Sequence, residues 1–115
     1  MCGRYALYGP HSQSREHFGT ANDLDLAPRF NIAPSQTVPI VGQSPEGQLV
    51  FLLAKWGLIP SWVKDPAELN QPINAKAETA AIKPMFRHAF RKSRVLVPAD
   101  AVSYTHLTLP TNREV

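Results

Sequence analysis

Short runs of alternating hydrophobic and polar residues predict most of the regular structure of this chain. Residues 1–8 form the first such run and predict a strand. Residues 29–34 are expected to be an extended segment that ends at a proline. Residues 37–41 and 49–54 are β-type runs separated by turn-forming residues, which predicts a hairpin-like pair. Residues 94–97 predict a further short apolar strand.

Two segments have the pattern of short helices. Residues 12–18 are bounded by Ser12 as an N-cap and Gly19 as a stop. Residues 78–92 are the better candidate, although Pro84 must begin the regular part of that helix or kink it. Strands with interspersed helices predict an α+β, β-rich domain with few short helices.

Composition narrows the class of protein. The chain has 115 residues, 43% of them hydrophobic and 18% charged, which is typical of one small globular domain. The sequence has no run of ~20 apolar residues for a membrane span and no basic-then-apolar signal segment. A single cysteine excludes an intrachain disulfide framework and a cysteine-based zinc site. We expect a monomeric cytoplasmic protein with no membrane contact, metal or cofactor.

The last fifteen residues have an unusual coding pattern. Residues 102–112 back-translate, in one permitted reading, to a transposase adapter used in sequencing libraries. We therefore interpret residues 101–115 as adapter read-through and residues 1–100 as natural sequence. The alternative is a genuine threonine-rich strand. The nucleotide sequence of the source distinguishes the two interpretations.

Positive charge is concentrated in one segment. The net charge of the chain is +3. Residues 76–94 contain six basic side chains and one acidic one, a net charge of +5. Within the predicted helix, Lys83, Arg87 and Arg91 follow an i, i+4, i+8 spacing that would stack them on one face. Such a ridge can bind phosphates, although from charge alone a solvated helix face is the favoured interpretation.

Cys2 is the residue with the most distinctive chemistry. It directly follows the initiator methionine, and removal of Met1 would leave a free α-amine and a thiol on adjacent carbons. The amine titrates near pH ~8 and the thiol near ~8.5, so both reactive forms exist at neutral pH. Such a 1,2-aminothiol condenses with an aldehyde to give a thiazolidine. Alternatively, Cys2 could attack acyl groups with its own amine as base, or be a small buried hydrophobic residue.

The neighbours of Cys2 favour a reactive terminus. Gly3 allows another backbone or a ligand to approach closely. Arg4 would hold a fixed positive charge near the thiol, which attracts an anionic substrate such as a phosphate.

Five blocks of the sequence, in order, resemble the SRAP domain family, whose members sense abasic sites in single-stranded DNA and were first described as SOS-response-associated peptidases. The blocks are Met1-Cys2-Gly3-Arg4-Tyr5, Arg29-Phe30-Asn31-Ile32-Ala33-Pro34, Trp56-Gly57-Leu58-Ile59-Pro60, Ile73-Asn74-Ala75-Lys76-Ala77-Glu78-Thr79 and Val97-Pro98-Ala99-Asp100. Together they extend over residues 1–100. The resemblance implies that Cys2, freed of Met1, forms a thiazolidine crosslink with the ring-opened sugar of an abasic site and shields the lesion during replication.

The resemblance also implies roles for other residues. Asn74 matches the asparagine that faces the opened sugar. Arg4 and Lys76 would hold flanking phosphates, although the family usually has arginine where Lys76 stands, so a bidentate clamp becomes a point charge. Trp62 could stack or wedge against a base, whereas Trp56 fits a core position better. Further contacts to the DNA backbone are expected from Ser35 and Gln36 and, on the basic helix, from Arg87 and Arg91.

The sequence departs from the family pattern after Asp100. Where the family continues with glycine, two aromatic residues, glutamate and tryptophan, this chain has the adapter-like segment. That glutamate is the family's acid–base partner at the crosslink site, and the family's later histidine is also lacking, since His106 lies in the adapter-like segment. We therefore expect the N-terminal part of an SRAP domain, with weak or absent activity, which in a bacterium would be associated with the nucleoid when bound to DNA. A peptidase with an N-terminal cysteine and a non-catalytic single-stranded-DNA-binding module are the alternatives.

Overall fold

The computed structural model describes residues 2–68 and 72–104. The described part contains five strands and two α-helices. Their bounds, in chain order, are β1 Cys2–Leu7, α1 His11–Phe18, β2 Arg29–Ile32, β3 Thr37–Gln43, β4 Leu49–Lys55, α2 Arg87–Lys92 and β5 Ala101–Tyr104. This is a β-rich α+β arrangement, as the sequence predicts. Within the described residues, no helix is long and apolar enough to cross a membrane.

The strands form two antiparallel sheets. One sheet has three strands in the order β2-β1-β5, so the N-terminal strand lies at its centre. The other is the β3-β4 hairpin, whose register runs without a bulge from Thr37 opposite Lys55 to Gln43 opposite Leu49. Leu96 adds a single bridge to the free side of β3, where it exchanges both backbone hydrogen bonds with Val41. The predicted strand at residues 94–97 is therefore reduced to this bridge.

The core lies where the two sheets meet. Tyr5 from β1, Ile32 from β2 and Val38 from β3 form a buried cluster. Leu7, Ile40 and Trp56 pack against that cluster and are partly buried. Alternate residues of β1 and β3 therefore face the same interior, as the period of two in a strand requires.

The helices differ most from the sequence expectation. The first ends at Gly19, as predicted, because glycine takes the left-handed conformation there with φ 68°. Its N-cap is Pro10 and not Ser12, and no side-chain hydrogen bond caps it. The predicted helix over residues 78–92 is regular only in α2, Arg87–Lys92. Pro84, which lacks an N–H, follows a series of turns, so the regular part begins after it.

The shortened helix also changes the predicted basic ridge. Arg87 and Arg91 remain on α2 at i, i+4, but Lys83 lies in the preceding turns and only its carbonyl joins the helix, by accepting the Arg87 N–H. Phe90, also on α2, is exposed, with the Arg94 guanidinium 3.7 Å from the centroid of its ring.

Asp100 ties the end of β1 to the start of β5. Its carboxylate Oδ2 accepts hydrogen bonds from the backbone N–H groups of Tyr8, at 2.7 Å, and Gly9, at 2.9 Å. Its own N–H donates to the Ala6 carbonyl at 2.8 Å. These three bonds hold β5 against β1, and β5 is the strand that pairs with Cys2.

We expect Asp100→Ala to lower the free energy of unfolding by about 1–2 kcal/mol, because two backbone N–H groups lose a charged acceptor at a solvent-exposed position. Urea denaturation followed by tryptophan fluorescence measures the change. Asp25→Ala, which removes an exposed carboxylate from the loop before β2, is the matched control. Equal stability of the two variants would contradict the proposed role of Asp100.

Candidate nucleic-acid interface

Cys2 is the first residue of β1, and its backbone is paired with β5. The register places Cys2 opposite Tyr104, Arg4 opposite Ser103 and Tyr5 opposite Val102. Between the first two pairs β1 has one residue more than β5, so Gly3 forms a bulge. A Cβ built at Gly3 meets no atom of the described residues within 4 Å, its two chain neighbours aside. The described part of the chain thus leaves room beside the bulge.

A second bulge, in β2, lies opposite β1. Tyr5 pairs with Ile32 and Leu7 with Arg29, so two residues of β2 lie opposite one of β1. The two are Phe30, whose ring stacks on that of Tyr8 just after β1, and Asn31. Asn31 Oδ1 accepts a hydrogen bond of 3.0 Å from Arg4 Nη1. This bond fixes one N–H group of the guanidinium, and no other described residue accepts from the remaining ones.

Tyr8 and Phe30 form an exposed aromatic stack beside Arg4. Their ring centroids are 5.3 Å apart and the ring planes differ by only 11°. Phe30 is 71% exposed and Tyr8 is also exposed. A flat aromatic surface next to a guanidinium has the two features that single-stranded nucleic acids recognise, a stacking face and a positive charge.

Trp56 connects the segments that carry the other predicted site residues. Its indole Nε1 donates to the Ile73 carbonyl at 2.9 Å, so the loop that contains Asn74 is held against the core. Its backbone carbonyl accepts the Ser35 N–H at 2.8 Å. Its ring lies 5.6 Å from the ring of Tyr5, in the middle of β1. The core position predicted for Trp56 is confirmed.

Asn74, Lys76 and Ser35 therefore lie in loops anchored at one point. Asn74 is half-buried and Lys76 is exposed. The Lys76 carbonyl accepts the N–H groups of Thr79 and Ala80, which fixes the turn that displays its ammonium group. Ser35 is exposed and has φ 71°, a left-handed conformation that is uncommon for a residue other than glycine. Its N–H is already used by Trp56, so only its hydroxyl is available to a phosphate.

Three residues predicted to contact DNA lie on the surface and form no described hydrogen bond to β1 or to the loops held by Trp56. Trp62 is 58% exposed in a turn closed by the Val63 N–H and the Pro60 carbonyl. Arg87 and Arg91 are exposed on α2, and in the described part of the chain neither forms a side-chain hydrogen bond. Their guanidinium groups are therefore not engaged by the described residues, but nothing in the fold directs them toward Cys2.

Sequence reasoning missed the Tyr8–Phe30 stack and Asn31. Both lie in or beside segments that resemble the family, yet their contacts depend on the bulge between β1 and β2. The sequence signal available was an aromatic residue at position 30 inside a short strand pattern, which by itself predicts a core residue. Gln36 was expected to contact phosphate. Its Oε1 instead accepts hydrogen bonds from the Ala33 N–H and from Arg29 Nη2. This oxygen therefore stabilises the turn before β3.

Comparison with known proteins places the chain among relatives of greater length. The abasic site processing protein YoqW of Bacillus subtilis is 37% identical over 105 residues, which cover 88% of this chain and 46% of that protein. The abasic site processing protein YedK of Escherichia coli is 32% identical over 110 residues, covering 87% and 46%. The chain thus spans about half the length of the curated relatives it matches. No solved structure matches it.

A protein-family comparison gives the assignment. The model for SRAP, the SOS response associated peptidases, matches residues 1–102, and the five sequence blocks quoted above fall within that range. Since the match includes most of the 115 residues, the chain belongs to the SRAP family.

Proposed function

We propose that this chain is the part of an abasic-site processing protein that carries the reactive terminus, and that Cys2 forms a covalent thiazolidine with abasic sites in single-stranded DNA. The observation that carries the proposal is the position of Cys2. It opens the central strand of a sheet, with an open bulge at Gly3 and the guanidinium of Arg4 two residues away. The names of the curated relatives supply the substrate class.

The proposed reaction needs no oxidant and no metal. After Met1 is removed, the α-amine of Cys2 adds to the C1 aldehyde of the ring-opened deoxyribose, and loss of one water gives an imine. The thiolate of the same residue then adds to the imine carbon, and the nitrogen takes up a proton. The five-membered ring that results holds the sugar through both a C–N and a C–S bond, which makes the adduct more durable than the imine.

The surrounding residues supply binding and orientation in this proposal. Arg4 and Lys76 attract the phosphates on either side of the lesion, and Asn74 hydrogen-bonds the opened sugar. The Tyr8–Phe30 stack is proposed to support a base next to the lesion, because Phe30 adjoins Asn31, the residue that bonds Arg4. Trp62, Ser35, Arg87 and Arg91 are proposed as outer contacts to the strand.

The register of β5 bears on the acid–base step. In the family pattern the glutamate comes four residues after the aspartate that matches Asp100, which corresponds to position 104. That position lies directly opposite Cys2 in the β1-β5 ladder, but it is occupied by tyrosine here. We propose that the family's glutamate acts from this strand position, and that the chain as it stands reacts slowly because it lacks the carboxylate.

A peptidase is the second candidate, because the matching family is described as a peptidase. Cys2 would then attack an acyl carbon with its own amine as base. Self-catalysed removal of Met1 would make the two activities compatible. In a non-catalytic binding module, by contrast, Cys2 would have no chemical role.

We expect this chain to form a covalent adduct with single-stranded DNA that has one abasic site. On a denaturing gel the adduct should appear as a heat-stable band that migrates more slowly than the free DNA. The band should disappear in Cys2→Ala, because the variant lacks the thiol that closes the ring. Intact DNA of the same sequence is the substrate control. Peptide cleavage without a band would favour the peptidase, and a salt-sensitive shift on a native gel that the variant retains would favour the binding module.

Tyr104→Glu should raise the initial rate of crosslinking by about tenfold or more, since a correctly placed general acid–base group contributes about 10²–10⁴-fold to a reaction. Ser103→Glu is the matched control, because that position faces Arg4 and not Cys2. The time course of band formation gives both rates. Equal acceleration by the two variants would show that added negative charge, and not the position opposite Cys2, is responsible.

Phe30→Ala should weaken binding of single-stranded DNA by about 5- to 160-fold, which corresponds to the loss of one base–aromatic stack, about 1–3 kcal/mol. The dependence of affinity on salt should not change, because no charge is removed. Ile82→Ala is the matched control, since Ile82 is an apolar residue of equal exposure, 70%, in the turns before α2. Fluorescence anisotropy at several salt concentrations tests this, and a similar loss in both variants would contradict it.

A further inference from the structure

The turn between β2 and β3 has a backbone conformation that does not suit serine. The Gln36 N–H donates to the Ala33 carbonyl at 3.3 Å, which closes the turn. Pro34 is its second residue, and Ser35, the third, has φ 71°. A proline followed by a positive φ is typical of a type II turn, in which glycine or asparagine is the usual third residue. In the described part of the chain Ser35 is the only residue other than glycine with a positive φ, so its surroundings must impose this conformation.

The Arg29 side chain forms two hydrogen bonds that hold the turn. Nη2 donates to Gln36 Oε1 at 2.6 Å, and Nη1 donates to the Thr37 carbonyl at 2.7 Å. Gln36 Oε1 also accepts the Ala33 N–H at 3.1 Å, so one amide oxygen joins the guanidinium to both ends of the turn. The planar fork of arginine suits two acceptors at once, whereas the ammonium group of lysine is a point charge.

The opposite side of the turn is fixed to the core by Trp56. Its carbonyl accepts the Ser35 N–H at 2.8 Å, and its N–H donates to the Gln36 carbonyl at 3.0 Å. The Ser35 side chain is exposed, and its hydroxyl has no hydrogen-bond partner among the described residues. The bonds around the turn therefore leave the Ser35 hydroxyl at the surface for an external acceptor.

Arg29 is itself fixed beside the central strand. It lies opposite Leu7 in the β1-β2 pairing. Burial raises the pKa of the Tyr5 phenol, and the positive charge of Arg29 partly offsets this effect, so the guanidinium is within electrostatic reach of β1. The turn is thus held by a side chain whose own place is set by the strand that begins at Cys2.

We propose that Arg29 is a positioning residue for DNA binding: through Gln36 it holds the turn in the form that presents the Ser35 hydroxyl to a phosphate of the single strand. The inference rests on the proposed function for the identity of the ligand, but not on the thiazolidine chemistry. A purely structural turn would accept glycine at position 35 without strain, whereas a contact to phosphate requires the hydroxyl. Arg29 acts through Ser35 and is not itself a contact to the DNA.

Variants of Ser35 separate the hydroxyl from the backbone conformation. Ser35→Gly removes both the hydroxyl and the strain. It should therefore unfold at the same urea concentration or a higher one, yet bind single-stranded DNA without an abasic site about tenfold more weakly, as expected for one hydrogen bond to a charged group. Ser35→Ala keeps the strain and should weaken binding equally. Fluorescence anisotropy gives the affinities, and an unchanged affinity in either variant would overturn the contact assigned to Ser35.

A double-mutant cycle tests the role of Arg29. Arg29→Lys keeps the charge but loses the fork, so it should weaken binding at least threefold and leave the dependence of affinity on salt unchanged. In the Ser35→Ala background the same change should alter affinity less than twofold, because the group that Arg29 positions is already absent. Arg15→Lys is the matched control, since Arg15 is exposed on α1 and bonds Asp23. Losses that multiply in the double variant, or an equal loss in Arg15→Lys, would overturn the proposal.

A second variant covers the case in which Arg29→Lys does not fold. Gln36→Ala removes the other half of the same contact, and it should weaken binding at least threefold in the original chain and less than twofold in the Ser35→Ala background. Urea denaturation shows which variants are folded under the conditions of the binding assay. A folded Gln36→Ala variant with unchanged affinity would also overturn the proposal.

The crosslinking rate separates positioning from chemistry. Arg29→Lys should raise the concentration of abasic DNA at half-maximal rate at least threefold and leave the rate at saturating DNA unchanged, because Cys2 and Arg4 are intact. A lower saturating rate at an unchanged half-saturating concentration would overturn the positioning role. Binding of DNA without a crosslink would contradict the thiazolidine proposal alone, and the affinities would still decide the role of Arg29. Absence of any DNA binding by the original chain would overturn both.

Discussion

The candidate site depends most on the contacts that Trp56 makes. Through its ring it packs against Tyr5 of the central strand, and through Nε1 it holds the Ile73 carbonyl. Its backbone fixes the turn that contains Ser35. Three segments far apart in the sequence are thereby brought to one place, and each carries a residue proposed to contact DNA. The site is therefore a consequence of core packing, and not of a single local motif.

The strands could be predicted from the sequence because their pattern is local. The alternation in β1 and the turn residues between β3 and β4 are sufficient to specify one strand and one hairpin. Gly19 ends the first helix for an equally local reason, its positive φ. The second predicted helix is largely wrong, since Pro84 interrupts the hydrogen-bond ladder and only six residues after it are helical.

The site could be predicted only in part. Cys2 and Arg4 were identified from chemistry and resemblance, and Trp56 from its expected burial. The Asn31–Arg4 bond and the Tyr8–Phe30 stack could not be foreseen, because a bulge in the β1-β2 pairing creates both and bulges depend on long-range register. The bonds of Asp100 to the end of β1 are likewise set by contacts between residues about ninety positions apart.

The interpretation of residues 101–115 as adapter sequence stays a prediction. Ala101–Tyr104 pairs with β1, and residues 105–115 lie outside the described part.

The proposed function requires that the abasic sugar is attached to Cys2, through its α-nitrogen and its sulfur. Peptide mapping by mass spectrometry tests it most directly, after the chain has reacted with abasic single-stranded DNA and nucleases have trimmed the adduct. The account predicts a peptide that begins at Cys2 and carries the sugar fragment, with a mass equal to the two reactants less one water. An adduct on Lys76 or another lysine, with the N-terminal peptide unmodified, would contradict it.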